Sequence, residues 1–188
     1  MKTSLLLIDI QNDYFPGGRM ELANPLEAAR KAYELLQCFR EHDMHHIHIQ
    51  HVANNPNATF LRPDGNGADI HESAAHFVGE PLVIKHFPNA FRETNLLELL
   101  RAEGTQRVVI TGMMTHMCVD ATARAAADLG FQVMVAEDAC ATRDLKYGGV
   151  TVPADHVQKA FLAALQSYGQ VMPAGQVLAR LADEQAHA

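Results

Sequence analysis

An α/β fold, with a parallel sheet covered by helices on both faces, is predicted by three features of the 188-residue sequence. Short β-rich runs alternate with longer helical patterns, the order that βα units leave in a chain. The first run, residues 3–10, is almost continuously apolar, as expected of a strand buried from both sides rather than one. No linker or internal repeat interrupts the pattern, so a single domain over residues 1–188 is expected.

The elements follow in order. After the first strand, a polar loop from Gln11 to Ala23 leads to Asn24-Pro25, an N-cap followed by proline at the first helical position. Ala28, Ala32, Leu35, Leu36 and Phe39, at three-to-four spacing, carry this helix to about His42. The alternation in 46–52 predicts a second strand. Residues 53–79, with Pro56, Pro63, Gly65 and Gly67, form a segment longer than loops usually are without a function. Residues 81–85 read as a third strand, and Thr94 caps a helix over 95–103 that Gly104 stops. A fourth strand (107–111) turns at Gly112 into a helix over 119–129, and a fifth strand covers 131–136. A helix over 154–167, a short sixth strand over 169–172 and a terminal helix from Gly175 to about Glu184 complete the pattern.

Composition narrows the function. A net charge of −7 disfavours a phosphate-backbone partner, which needs a basic face, so no nucleic acid is expected. The early apolar run Leu5 to Ile8 is cut by Asp9, too short for a secretory core or a membrane span. Three cysteines at irregular spacing, Cys38, Cys118 and Cys140, predict reduced thiols in a cytoplasmic protein rather than a disulfide scaffold. Gly65-Asn66-Gly67 follows no strand and opens no helix, so it does not read as a dinucleotide loop, and no cofactor is expected.

In open parallel sheets, reactive groups collect beyond the carboxyl ends of the strands. Three residues fall there. Asp9 interrupts an apolar strand, where a carboxylate needs a partner to stay charged; it serves either chemistry or the capping of the Gln11-Asn12-Asp13 turn. Lys85 closes the third strand, a place where a lysine is usually just solvated. Cys118 follows a glycine-containing strand-to-helix turn, where backbone dipoles favour a thiolate, although a free cysteine is often only a small buried hydrophobe. Cys38 falls on an apolar helical stripe, and Cys140 lies in a loop after the fifth strand.

Taken together, these residues and their surroundings resemble the isochorismatase-like cysteine hydrolase family, outside its nicotinamidase branch. The likeness runs from Leu5-Leu-Leu-Ile-Asp-Ile-Gln-Asn-Asp13 through Val83-Ile-Lys85, Ala90-Phe91 and Thr94. It continues through residues 109–119, 121–126 and 128–130 to Asp138-Ala139 and Ala141-Thr142. The resemblance implies a six-stranded parallel sheet in the order 3-2-1-4-5-6 and a triad of Asp9, Lys85 and Cys118. It also implies a cis peptide at Met113–Met114, with the amides of Met114 and Cys118 as oxyanion donors. Phe15 and Phe91 become candidate substrate-binding aromatics, and His116 and Met117 neighbours of the nucleophile. A homodimer or homotetramer acting on a small molecule is likewise implied.

The expected activity is hydrolysis of a C–N bond in a small amide, ureide or lactam through a thioester. The nicotinamidase branch holds a metal through an Asp-x-His pair, whereas this chain reads His51-Val-Ala-Asn-Asn-Pro56, so no metal is expected. His46, His48 and His51 read as the polar face of a strand. Two other functions remain open at this point. One is an isochorismatase-type vinyl ether hydrolysis, which does not use a nucleophilic cysteine. The other is a non-enzymatic redox sensor with Cys140 resolving Cys118.

Overall fold

A computed structural model describes residues 1–186. In chain order the elements are β1 (Thr3–Ile8), α1 (Pro25–Glu41), β2 (His46–His51), β3 (Leu82–Lys85), α2 (Leu96–Glu103), β4 (Arg107–Met113) and α3 (Asp120–Asp128). There follow β5 (Gln132–Ala141), β6 (Leu145–Tyr147), β7 (Val150–Val152), α4 (Ala154–Leu165), β8 (Gln170–Met172) and α5 (Ala174–Ala186). Six strands form one parallel sheet in the order β3-β2-β1-β4-β5-β8. This is the expected arrangement, with β8 as the sixth strand.

Strand parity sorts the core into two layers. Leu5, Leu7, Val109 and Met134 face α1 and α5, where Ala32, Leu35, Phe39, Val177 and Leu181 meet them. Leu6, Ile8, Ile47, Ile49, Val108 and Ile110 face the other way, onto Leu96 and Leu100 of α2, Ala123 and Ala126 of α3, and Leu162 and Leu165 of α4. A two-sided core is why β1 and β4 are apolar at nearly every position. Among the described residues, no helix is long and apolar enough to cross a membrane.

Local details depart from expectation for identifiable reasons. Pro25 opens α1, but Asn24 sits in the left-handed region and its side chain makes no cap. Instead of ending at Ala136, β5 runs on through Glu137 and Asp138, because a register shift opposite Ile110–Gly112 lets Cys140 and Ala141 pair with Gly112 and Met113. Residues 138–141 are therefore strand rather than loop. Asp138 accepts the amide of Ala174 and so starts α5. The hairpin of β6 and β7 turns on Gly148-Gly149, both with positive φ, the backbone such a two-residue connection requires. A single wide π turn, Thr115–Val119, separates β4 from α3 and carries Cys118.

Gly112 is the tightest backbone contact. Its φ is +123°, and an added Cβ would lie 1.9 Å from the carbonyl oxygen of Ile8, next to Asp9. Gly112→Ala is therefore expected to destabilise the fold by at least ~2 kcal/mol, since neither the conformation nor the space admits a methyl group. Urea denaturation measures it; a change below ~0.5 kcal/mol contradicts the contact.

Candidate active site

The carboxyl ends of β1, β3 and β4 bring the three candidates together. Asp9 follows the last residue of β1, with its backbone at φ +50° and its amide donating to Ile49 O at 3.0 Å. Lys85 is the last residue of β3. Its Nζ lies 2.7 Å from Asp9 Oδ2, and both side chains are fully buried (0%). Lys85 Nζ also donates to Phe87 O at 3.2 Å. Cys118, 2% exposed, packs in the same layer as Ile8, Ile49 and Val83.

A fourth side chain completes the cluster. His51 ends β2 directly opposite Lys85 in the sheet register. Its Nδ1 is 3.0 Å from Lys85 Nζ, 3.7 Å from Asp9 Oδ2 and 3.8 Å from Cys118 Sγ. The backbone of His51 is held on both sides by one amide: Gln11 Nε2 donates to His51 O and Gln11 Oε1 accepts from His51 N, each at 2.8 Å. The strand's alternation carried a signal for this residue. His46 and His48 lie on one face, whereas His51 continues the face of Ile47 and Ile49, which is core. A polar residue closing an apolar register is the pattern that singled out Asp9.

The charges follow from burial and pairing. Burial alone would raise the Asp9 carboxyl, but the Lys85 ammonium, with His51, outweighs it and holds Asp9 below the ordinary value. Burial would lower Lys85, and Asp9 outweighs that too, so Lys85 stays raised and charged. Cys118 goes the other way from the expected dipole-favoured thiolate. Burial and the Asp9 charge push its thiol well up, beyond what Lys85 offsets. Burial thus favours the thiol over the thiolate beside the Asp9–Lys85 pair. Asp9 Oδ2 takes the Lys85 ammonium, and Oδ1 has no hydrogen-bond partner among the described residues, so a lone pair remains to receive a proton.

The pocket candidates divide. Phe15 is buried and stacks on His71 at 3.5 Å, lining a cavity of about 410 Å³ with Arg19 and Arg62 that holds none of the triad. Phe91, partly buried, stacks on Phe131 and packs against the α2–α3–α4 core layer. A cavity of about 200 Å³ reaches the cluster at His51 alone; Asn54, Asn55, Phe60 and His86 line it with small and aliphatic neighbours, and Asp9, Lys85, Cys118 and Phe91 are not among its lining residues. Tyr14, buried near Phe60, is a further neighbour missed in the sequence; burial, Asp9 and Cys118 raise its phenol well above the ordinary value. His116 is buried and bonds Thr142 through Nδ1, bracing the π turn against the end of β5, and Met117 is exposed. The Cys140 thiol is pushed up to about 12 by burial, which ill suits it to resolve an oxidised partner.

Among the described residues, two groups of donor atoms have the spacing of metal ligands: Asp9, His51 and Cys118, and His46, His48 and Glu80. Each already faces a cationic side chain. Lys85 lies on Asp9 and His51, and Arg40 makes a two-pronged contact with Glu80 at 2.7 and 2.9 Å. With the Asp-x-His pair also missing, these residues do not fit the metal of the nicotinamidase branch, and no step is assigned to one.

The isochorismatase domain model matches residues 3–176. The uncharacterised isochorismatase-family protein YddQ of Bacillus subtilis is 47% identical over 165 residues, 88% of this chain and 92% of that one. The solved structure of a candidate isochorismatase hydrolase from Oleispira antarctica superposes with a TM-score of 0.91 at 44% identity, over 95% and 96% of the two chains. Maleamate amidohydrolase of Pseudomonas putida is 28% identical, with 84% and 86% covered. With its six-stranded sheet and strand-end cluster, the chain belongs to the isochorismatase family.

Proposed function

We propose that the protein is a cysteine hydrolase that cleaves a C–N bond in a small amide, ureide or lactam through a thioester on Cys118. The observation that carries this reading is a buried Asp9–Lys85 pair, 2.7 Å apart, in a cluster joined through His51 to the Cys118 sulfur. The relationship to an amidohydrolase supports the same class of reaction.

In this mechanism Asp9 takes the proton of Cys118 as the sulfur attacks the substrate carbonyl. Burial disfavours the thiolate, and the Lys85 ammonium offsets part of that cost and balances the charge left in the buried site. The amides of Met114 and Cys118 hold the oxyanion, an arrangement in which one lost donor costs ~10²–10³-fold in rate. Protonated Asp9 returns its proton to the departing nitrogen, giving free amine or ammonia and the acyl-enzyme. Asp9 then activates water, which hydrolyses the thioester and regenerates the thiol.

A panel of small amides, ureides and lactams, read by ammonia or amine release and by intact mass after acid quench, tests this. A turned-over substrate is expected to leave its acyl group on Cys118. Turnover with no adduct under rapid quench, and no burst of amine, contradicts the covalent route.

A further inference from the structure

We propose that His51 is a fourth functional residue of this site. Its Nδ1 fixes Lys85, and its Nε2–H reads a carbonyl acceptor on a substrate that is uncharged where it enters. This rests on the cysteine-hydrolase reading and adds a substrate class to it.

Lys85 carries an ammonium, which has hydrogens only to give. At 3.0 Å from Lys85 Nζ, His51 Nδ1 is therefore the acceptor. That fixes the neutral tautomer with its proton on Nε2. The Nδ1 side of the ring faces Lys85, Asp9 and Cys118, while the same residue lines the 200 Å³ cavity. The side chain is 17% exposed, so the imidazole is the wall shared by the buried thiol and the open space. Of the lining residues, His51 is the one that contacts Lys85 and Cys118, so a substrate in this cavity meets the cluster through that ring.

Other residues of the lining supply the complement. His86 Nδ1 lies 2.7 Å from Val52 O and so donates to it, leaving Nε2 of a neutral His86 as an acceptor. Asn54 and Asn55 add amides, and no Lys, Arg, Asp or Glu lines the cavity. A carboxamide or ureide, with a carbonyl oxygen and an N–H, finds both partners there. A carboxylate would be desolvated there without a cation of its own, because Lys85 is already paired with Asp9. The preferred substrates are therefore small neutral amides or ureides rather than carboxylated ones.

The test uses matched probes. Iodoacetamide and iodoacetate differ only in that charge, and their rates at Cys118 are compared with those at free cysteine. Butyramide and succinamate form the corresponding substrate pair. The wild type is expected to favour the neutral member at least 10-fold more than free cysteine does, and butyramide over succinamate in kcat/KM. His51→Asn, which keeps an oxygen near the Nδ1 position, is expected to retain the pH midpoint of alkylation but raise KM about 10-fold. His51→Gln, which keeps a donor near Nε2, is expected to shift the midpoint upward by about one unit while holding KM closer to wild type. Equal Tm values show that neither variant acts through folding.

A preference for the anionic probe, or wild-type profiles in both variants, overturns the inference. Because alkylation needs no substrate, it decides the matter even if butyramide is not hydrolysed. If Cys118→Ala keeps turnover, the nucleophile reading falls instead, which separates the two failures.

Discussion

Cys118→Ala is expected to lower turnover by on the order of 10⁴-fold or more, while melting temperature and inhibitor binding stay near wild type. The magnitude follows from losing the nucleophile of a unit whose members act together, so that little catalysis survives the loss of one. The fold should tolerate the change because the sulfur packs among apolar neighbours, including Ile8, Ile49 and Val119, and a methyl group there removes one buried atom. A cavity of that size costs ~1 kcal/mol. Amine release from the best panel substrate, assayed beside circular dichroism, checks both halves. Retained turnover in pure protein would remove Cys118 from the chemistry; a lost fold would leave the question to Cys118→Ser, which keeps the volume.

The second large effect concerns stability. Lys85→Met should destabilise the protein by ~3–5 kcal/mol, because it strands the Asp9 carboxylate, fully buried, without its cation. Asp9→Asn/Lys85→Met should recover most of that loss, since both charges leave together, yet remain inactive. Equilibrium unfolding in urea measures the cycle, and additive losses would mean the pair is not coupled. The same pair has an acid limit. Asp9 titrates lower in the folded chain than in the unfolded one, so its contribution is complete at neutral pH. It is lost as pH falls below the ordinary value of 3.8 toward the folded one, and the double variant should lack that component.

How far the sequence led is best judged residue by residue. Asp9 was legible because it breaks an apolar run at a strand end, where parallel sheets gather chemistry; Lys85 and Cys118 each had an ordinary reading of their own, and the family resemblance joined the three. The strand order came from the family resemblance, since periodicity does not state which strands pair. His51 escaped because two histidines on the opposite strand face made it look like one more polar residue. The end of β5 was hidden by Glu137 and Asp138, which look like a loop until the register shift beside Gly112 is seen. The hairpin of β6 and β7 had its Gly148-Gly149 signal, but three-residue strands are too short to show alternation. The role given to Phe91 came from the family by position, and its contact with Phe131, 40 residues on, is one that periodicity does not show.

The residues just after β1 also act as fixed posts for the long segment between β2 and β3. Gln11 Nε2 holds Ala68 O at 2.6 Å, and the buried Asp13 carboxylate holds the amides of Leu61 and Arg19 at 2.5 and 3.1 Å. Gly67 leaves the room that this carboxylate fills. Residues 53–60, which supply much of the cavity wall, therefore hang between anchored ends as an interchangeable panel. Doubling such a loop adds only ~0.6 kcal/mol of closure entropy. Descendants of this scaffold can thus diverge in what they accept by rewriting one short stretch, with the reactive centre left in place.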